Sequence, residues 1–305
     1  MPTLPPLNLS DPDSVIGALE AGARANLTAP CRRKSIDAID PPGWLVATGD
    51  LHDNPINFQK LVAAAGMTMN EPGLEGPAPT GPLSHLTMHE IIHSDRLMNG
   101  MDMSYRALVR VADLKARYPG HVHVLVGNHE LAQYNNSAIL KDGVRSVDAF
   151  NDGVEFAFGE DAARVMAAVR GFIRSMPVGL ECHTRRGSIL CAHSLPPAAS
   201  MGRFDTTILK RDLTDDDYAP RIGALHLMTW GRGYDAEGLE DLTERWGAYL
   251  FIVGHEKAED GVKFVAPNAI ILASDHDRGT FLPIDLADPP TPEEAMERVV
   301  WLAAR

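Results

Sequence analysis

The stretch Trp44-Leu45-Val46-Ala47-Thr48 runs directly into Gly49-Asp50-Leu51-His52. Its first five residues form a short apolar run that is bounded by glycine, a pattern that predicts a buried β-strand. Asp50 and His52 are one residue apart, so in an extended turn their side chains project to the same side. The stretch therefore predicts a strand that delivers two metal-ligand side chains at its carboxyl end.

Three later strand patterns end in the same way. Apolar and β-branched runs at 122–126, 188–192 and 249–253 are followed in turn by Gly127-Asn128-His129-Glu130, by His193 and by Gly254-His255. Helical patterns lie between these runs, so we predict an α/β fold. In such sheets ligands gather beyond the carboxyl ends of the strands. We therefore expect these polar side chains to meet in one site.

The rest of the chain fits one domain. Helical periodicity is expected around Val15, Leu19, Ala23 and Leu27, at 58–65, at 105–114, at 161–174 and in a helix that closes the chain. Glycine and proline recur from 70 to 82 and predict a loop, whereas 84–92 fits a strand or a helix. No linker forces a boundary, so we predict a single domain at 44–305 and a lead-in at 1–43 that packs on it.

The charge balance limits the partners of the protein. The chain has 305 residues, with 28 Lys+Arg against 41 Asp+Glu and a net charge of −13. This acidic balance argues against broad binding to nucleic acid or to a membrane surface. Three cysteines without CxxC spacing, no apolar run of membrane-spanning length and no signal-peptide pattern predict a cytoplasmic protein. An anionic substrate would need a local cation, for which a bound metal is the natural candidate.

The polar residues at the strand ends offer a consistent ligand set. Asn128 supplies an amide oxygen, and His193 and His255 supply imidazole nitrogens, beside Asp50 and His52. A mixed oxygen and nitrogen set without thiolate suits Mn, Fe or Zn. Two such ions about 3.5–4 Å apart generate hydroxide from bound water and hold both sides of an in-line displacement at phosphorus. The pattern therefore indicates a two-metal hydrolase.

Four ordered motifs resemble those of the calcineurin-like metallophosphoesterases, most closely the phosphoprotein phosphatase branch with its GDxHG, GDxVDRG, GNHE, HGG and late histidine. The motifs are Gly49-Asp50-Leu51-His52, Gly127-Asn128-His129-Glu130, Ala192-His193-Ser194-Leu195 and Val253-Gly254-His255-Glu256. The resemblance spans about residues 45–286. It implies a central β-sandwich flanked by helices and hydrolysis of a phosphorylated substrate, either a phosphoprotein or a small phosphoester. It also implies two divalent metal ions, Mn first, with Fe or Zn as alternatives.

The resemblance also implies roles for individual residues. Asp50 and His52 would hold the first metal, and Asn128, His193 and His255 the second. His129 would act as the general acid, while hydroxide bridging the metals attacks phosphorus in line. Arg232 stands where the family places an arginine that grips phosphate, and a planar guanidinium suits this contact.

The chain departs from the family pattern in three places. Asp53 follows the first motif instead of glycine, and Ser194-Leu195 follow His193 instead of two glycines. The largest departure is the second motif, for which His89-Glu90-Ile91-Ile92-His93-Ser94-Asp95-Arg96 is the best candidate. Aligning Glu90 with the bridging aspartate puts His93 at the position of the acid that orients the catalytic histidine. Asp95 is a second candidate for orienting His129, and Arg96 is a candidate phosphate contact.

Other functions stay open from the sequence. His89-Glu90-Ile91-Ile92-His93 matches the HExxH pattern, which on a helix binds zinc in peptidases, although no third ligand is found at the expected spacing. A catalytically inactive binding scaffold is the alternative that the altered second motif raises. Within the enzyme reading, a serine/threonine protein phosphatase and a dinucleoside polyphosphate hydrolase both fit. The sequence does not determine the oligomeric state.

Overall fold

The computed structural model describes residues 6–69, 71, 82–141 and 143–304. The loop predicted at 70–82 lies almost entirely outside these residues. Among the described residues, the α-helices are α1 (Pro12–Thr28), α2 (Pro55–Ala64), α3 (Tyr105–Arg117), α4 (Asn128–Asn135), α5 (Ser146–Phe158), α6 (Ala162–Ser175), α7 (Ala224–Thr229), α8 (Ala236–Trp246) and α9 (Pro292–Glu297). No helix in this described part combines the length and the apolar character needed to cross a bilayer.

The described strands form two main sheets and one small hairpin. They are β1 (Arg32–Arg33), β2 (Ile36–Ile39), β3 (Trp44–Thr48), β4 (His85–Met88), β5 (Val122–Val124), β6 (Leu140–Lys141), β7 (Val144–Arg145), β8 (Gly179–Thr184), β9 (Gly187–Ala192), β10 (Ala248–Val253), β11 (Val262–Val265), β12 (Ala269–Leu272), β13 (Thr280–Asp285) and β14 (Val300–Trp301). The seven-stranded sheet has the order β1-β2-β8-β9-β10-β12-β11, and the five-stranded sheet has the order β14-β13-β3-β4-β5. Both sheets are mixed, with parallel pairs β9/β10, β10/β12, β3/β4 and β4/β5.

The two sheets pack face to face because their strands alternate apolar side chains. Leu45 of β3 and Leu250 of β10 belong to one buried cluster between the sheets. Val46 and Phe251, the next residues along each strand, belong to a second cluster that includes side chains of the helices. Successive side chains of a strand point to opposite faces, so every strand serves both layers. The predicted α/β fold, a β-sandwich flanked by helices in a single domain, is confirmed.

Several predicted elements are found close to their expected positions. The strand Trp44–Thr48 is confirmed with the same bounds, and the ambiguous segment 84–92 contains a strand at His85–Met88 followed by irregular backbone. The expected C-terminal helix is present but short: it is α9, and β14 and a 3₁₀ turn at Leu302–Ala304 follow it. The helix ends at Glu297, and β14 then pairs with β13 beyond it. This final strand covers the edge of the five-stranded sheet, which leaves fewer backbone groups unpaired.

The N-terminal segment 1–43 contributes α1 and an edge of the larger sheet. Strand β2 pairs with β8 in parallel register and β1 pairs with β2. Helix α1 crosses α3 closely at Gly22, where an added Cβ would lie 2.8 Å from the Cβ of Ala112. The segment is therefore built into the sandwich through both a helix contact and strand pairing.

A buried polar network joins the two sheets at this edge. Asp37 on β2 accepts a hydrogen bond at Oδ2 from Nδ1 of His123 on β5, at 2.7 Å, and His123 Nε2 lies 3.1 Å from Nδ1 of His85 on β4. Lys115 on α3 is fully buried, and its Nζ lies 3.9 Å from Asp37 Oδ2. Burial by itself would raise the pKa of Asp37, but His123 and Lys115 outweigh it and hold that pKa below its ordinary value. Asp37 thus offsets the charge of a buried lysine.

We predict that replacing Asp37 by Asn destabilises the fold strongly. The substitution leaves Lys115 as a buried cation without its carboxylate, which typically costs about 3–5 kcal/mol. Urea unfolding of both proteins measures the loss in free energy of unfolding. Asp212→Asn is the matched control, because it breaks the exposed ion pair with Lys34 (2.9 Å), for which a loss of about 1 kcal/mol or less is expected. Equal losses in the two variants would contradict the role given to Asp37.

A second prediction concerns pH. Burial, with smaller contributions from neighbouring histidines, lowers the pKa of His85 to about 3, whereas an unfolded histidine titrates near 6.5. As pH falls from about 6.5 towards 3, the unfolded chain binds a proton that the folded chain does not, and His85 destabilises the fold. His85→Asn removes this group. We expect the slope of unfolding free energy against pH, measured between pH 4 and 6, to fall by up to about 1.4 kcal/mol per pH unit. An unchanged slope would show that His85 titrates alike in both states.

Candidate metal centre

The site begins with backbone bonds between two turns. The amides of Leu51 and His52, after β3, both donate to the carbonyl oxygen of Glu90 at 3.1 and 2.8 Å. The next amide, that of Asp53, donates to the carbonyl oxygen of Ile91 at 2.9 Å. Because β3 and β4 are neighbouring parallel strands, their following turns meet at the same sheet edge. This pairing brings the His52 side chain beside that of Glu90.

Glu130 of the GNHE motif connects a third turn to the same place. Its Oε1 accepts hydrogen bonds from the amides of Ile91 and Ile92 at 2.7 and 3.3 Å, and its Oε2 accepts one from Gly127 at 3.2 Å. Burial, together with the nearby charge of Glu90, raises the pKa of Glu130. Its side chain therefore holds the start of α4 against the turn that carries Glu90, a role that the sequence analysis did not assign.

The last two motifs close the arrangement. The Gly254 amide donates to the carbonyl oxygen of His193 at 3.0 Å, and the His255 amide donates to both carboxylate oxygens of Asp50 at 3.1 and 2.9 Å. A Cβ on residue 254 would overlap the Asp50 carboxylate and the ring of His89. Glycine is therefore required here, because the backbone must approach two functional side chains.

Glu90 lies at the centre of the resulting cluster and is buried. Its Oε1 is 3.0 Å from His52 Nε2 and 3.3 Å from His129 Nε2. Its Oε2 is 2.9 Å from His193 Nε2. The two oxygens thus face different histidines, an orientation in which one carboxylate can bridge two cations.

A second set of donor atoms surrounds His193. Its Nε2 lies 2.7 Å from Asn128 Oδ1 and 3.2 Å from His255 Nδ1. On the other side of Glu90, His52 Nδ1 lies 3.2 Å from the carbonyl oxygen of Ile92. A carbonyl only accepts, so His52 Nδ1 carries a proton, and Nε2, which faces Glu90, is the nitrogen that would bind a metal.

The charges in the cluster are strongly coupled. Burial by itself would raise the pKa of Glu90, but the three neighbouring histidines outweigh it and hold that pKa well below its ordinary value. Burial disfavours charge on His193, yet Glu90 more than offsets this, and the pKa of His193 is raised. Burial and the adjacent His193 lower the pKa of His255 to about 2. The buried carboxylate thus draws positive charge into the site.

The chemistry of these donors fits divalent metal ions. Among the described residues, His52, Glu90 and His129 form one compact group, and Glu90, His193 and His255 form another, with candidate ligand atoms within 4.8 Å of one another in each. Both groups share Glu90. Converging lone pairs from oxygen and nitrogen, with no thiolate, suit borderline metals such as Mn, Fe or Zn.

Backbone strain is concentrated in the same residues. His52, Glu90 and His255 all have positive φ angles, at 39°, 46° and 68°. Residues other than glycine adopt such angles at a cost of order 1–3 kcal/mol each, and such residues cluster at functional sites. The surrounding hydrogen bonds hold these three in place.

His129 is held by a chain of side chains. Its Nδ1 lies 2.8 Å from Nδ1 of His93, whose Nε2 lies 3.0 Å from Oε1 of Gln133. The Gln133 amide nitrogen donates to Asn151 Oδ1 at 2.8 Å. Because Gln133 Oε1 only accepts, His93 Nε2 carries a proton, and in a neutral ring His93 Nδ1 accepts from His129 Nδ1–H. His93 therefore lies between His129 and Gln133, beside the histidine that the family alignment predicts it to contact.

The other predicted residues surround a cleft of about 500 Å³ over the cluster. Asp95 and Arg232 line this cleft, together with Asp50, His52, Glu90, Asn128, His129 and His255. Arg96 instead donates a hydrogen bond to the backbone oxygen of Asp53. Ser194, which replaces a family glycine, donates from Oγ to the Gly231 carbonyl oxygen at 2.7 Å and so fixes the turn that carries Arg232.

The HExxH interpretation is wrong for this fold. Residues 89–93 are irregular, and Glu90 and His93 have positive φ angles, so the two histidines do not share a helix face. The sequence analysis nevertheless missed His89 as part of the centre. Its Nδ1 lies 3.2 Å from Asp50 Oδ1 and 3.1 Å from His193 Nδ1. The match to HExxH was the only signal that marked this histidine.

Comparison with known proteins identifies the fold. No protein-family model matches the sequence, and no curated protein matches it either. A protein serine/threonine phosphatase from Saccharomyces cerevisiae, with similarity to human phosphatase PP5, superposes with a TM-score of 0.63 at 16% identity, over 90% of this chain and 83% of that one. The cold-active protein-tyrosine phosphatase of a Shewanella species gives 0.57 at 17% identity, over 85% and 80%. Both likenesses are at the level of the fold: the chain shares the fold of these two phosphatases, as the resemblance in the motifs predicted.

Proposed function

We propose that the protein is a metal-dependent phosphoesterase with a dinuclear centre. In this proposal Asp50 and His52 hold one ion, Asn128, His193 and His255 hold the other, and Glu90 bridges them. The observation that carries the proposal is the orientation of Glu90, whose two oxygens face two separate groups of histidines at 2.9–3.3 Å. When bound, the ions would supply Lewis acidity and a hydroxide nucleophile at neutral pH.

His129 acts as the general acid in this scheme. Its Nδ1 is engaged by His93 at 2.8 Å, so the ring is fixed and its Nε2 faces the cleft. A proton on Nε2 can pass to the leaving oxygen of a phosphoester bound above the centre. We assign the orienting role to His93 on the basis of this distance, and place Asp95 at the rim of the cleft.

Arg232 binds the phosphoryl oxygens in the same scheme. It is exposed, lines the cleft and lies near enough to His255 to disfavour charge on that ring. A guanidinium offers two parallel donors to a phosphate and holds the ester in line with the centre. Arg96 is engaged with Asp53 and would reach substrate only after leaving that carbonyl.

The cleft favours a phosphoprotein over a polyphosphate. Apart from Glu256, which is paired with Lys263 at 3.0 Å, its acidic side chains outside the metal set are Asp95, Glu259 and Asp275, against the cations Arg232 and Lys257. This rim would repel the several phosphates of a dinucleoside polyphosphate and attract basic residues that flank a phosphorylated side chain. Both solved structures named above are described as protein phosphatases. We therefore propose protein phosphatase activity.

The test begins with metal-stripped protein. Manganese is added back, and hydrolysis of p-nitrophenyl phosphate, of phosphoserine and phosphotyrosine peptides and of a dinucleoside polyphosphate is compared. Metal-dependent turnover that is fastest on peptides with basic flanks supports the proposal, whereas preference for the polyphosphate assigns the alternative substrate. Absence of both metal uptake and turnover indicates a binding scaffold.

We predict that Glu90→Gln impairs metal binding itself. The amide keeps the shape of the side chain but supplies one neutral oxygen where the proposal needs two anionic ones. Metal affinity, measured by competition with a chelator, is expected to fall at least about tenfold, since even outer-shell changes cost about 10–100-fold. Glu259→Gln is the matched control, because it makes the same change to a carboxylate that lines the cleft outside the proposed metal set. Unchanged affinity in Glu90→Gln would remove the bridging role.

We also predict that His129→Asn lowers turnover without loss of metal. A general acid contributes about 10²–10⁴-fold to rate, so kcat is expected to fall by about this factor while metal content per chain stays constant. His276→Asn is the control, since His276 lines the same cleft and its ring contacts the Ala258 carbonyl oxygen. If both variants turn over normally, His129 is not the acid.

A further inference from the structure

His89 is a buried histidine that the proposed reaction does not use. It directly follows β4, is 1% exposed, and its Nε2 lies 3.0 Å from the carbonyl oxygen of Thr48 at the end of β3. A carbonyl oxygen only accepts, so Nε2 carries a proton. In the neutral ring, Nδ1 is then unprotonated and presents a lone pair.

That lone pair points towards two of the proposed metal ligands, His193 and Asp50. His89 Nδ1 lies 3.1 Å from His193 Nδ1 and 3.2 Å from Asp50 Oδ1, while His193 Nδ1 lies 3.5 Å from the same oxygen. The other ring nitrogen of His193, Nε2, faces Asn128 and Glu90 at 2.7 and 2.9 Å. For Nε2 to bind a metal, the proton of His193 must sit on Nδ1, where the nearest acceptor is His89.

We propose that His89 is a positioning residue for the metal centre. His193 donates its Nδ1–H to His89 Nδ1, and His89 donates its Nε2–H to the Thr48 carbonyl. This chain fixes the ring and the tautomer of His193, so that Nε2 is free to bind the metal. It rests on the proposed function, because the tautomer matters only if His193 is a ligand. Metal-binding histidines commonly need such an outer partner for their second nitrogen.

The position of the His89 ring is fixed by its neighbours. The close approach of Gly254 to both Asp50 and His89 leaves this ring little room to reorient.

The first test reads the tautomers directly. The full chain, labelled with ¹⁵N in its histidines, is loaded with ¹¹³Cd as the probe metal, and long-range ¹H–¹⁵N correlations assign the protonated nitrogen of each ring. We expect His193 to be protonated on Nδ1 with cadmium coupling at Nε2, and His89 to be protonated on Nε2 with no cadmium coupling. Coupling at His89 would make it a ligand, and a doubly protonated His89 would exclude the acceptor role; either result overturns the proposal.

The second test uses paired variants. His89→Asn places Oδ1 near the position of Nδ1 and keeps an acceptor for His193, whereas His89→Leu keeps bulk and removes the acceptor. Zinc affinity by chelator competition is expected to fall about 10–100-fold in His89→Leu and much less in His89→Asn. Thermal unfolding of the metal-free proteins, with His121→Leu as a distant histidine control, reports any general loss of folding.

The outcomes distinguish a failure of the role given to His89 from a failure of the proposed metal centre. If wild type and His89→Leu bind zinc with equal affinity, the positioning role alone is overturned. The same holds if His89→Leu and His89→Asn lose equal zinc affinity. If the wild-type chain binds neither cadmium nor zinc, the dinuclear centre itself is wrong and the role of His89 fails with it.

Discussion

The structure of this site depends on a single buried carboxylate. Glu90 lies in the interior with three imidazole rings within 3.3 Å of its two oxygens. A buried charge is costly unless it is paired and hydrogen-bonded. The histidine rings around it therefore compensate its charge, which ties their positions to that of Glu90. The positive φ angle of Glu90 shows that the backbone accepts strain to keep the carboxylate there.

The β-sandwich makes this cluster possible because strand ends from both sheets meet at one edge. The turns after β3, β4 and β5 belong to the five-stranded sheet, and those after β9 and β10 belong to the seven-stranded sheet. Backbone amides of neighbouring turns donate to the carbonyl oxygens of Glu90 and His193. The carboxylates of Glu130 and Asp50 accept hydrogen bonds from further amides, so the turns form one unit. Main-chain hydrogen bonds thus join the turns that carry the proposed ligands.

The departures from the family pattern are concentrated in one turn. Within five residues, His89 and His93 flank a glutamate where the family has an aspartate. His89 and Glu90 both contact His193, and His93 contacts His129. The longer Glu90 side chain lets its two oxygens reach separate histidine groups. In the same turn, an imidazole lies beside His129 where the family pattern has a carboxylate. Because these changes share one short segment, we expect them to act as a unit.

The sequence by itself predicted the sandwich and the meeting of the strand-end side chains in one place. Strand patterns followed by polar turns placed Asp50, Asn128, His193 and His255 at strand ends, because side-chain alternation and the carboxyl-end rule are local properties. The resemblance in the motifs added the identity of the fold. Outside the irregular second motif, the ordered tetrapeptides were sufficient to predict which side chains lie at the strand ends.

Only the tertiary structure decided the parts that depend on contacts between distant segments. The HExxH pattern predicts a helical zinc motif when only the sequence is considered. In the structure, hydrogen bonds with the backbone of the first motif and with the Glu130 carboxylate hold these residues in an irregular turn. The packing of Asp37 against Lys115 across 78 positions is likewise invisible to periodicity. The partner of His93 and the place of His89 follow from where neighbouring turns converge. Local sequence specifies the strands and turns, whereas the environment of each buried charge is set by the elements that fold against it.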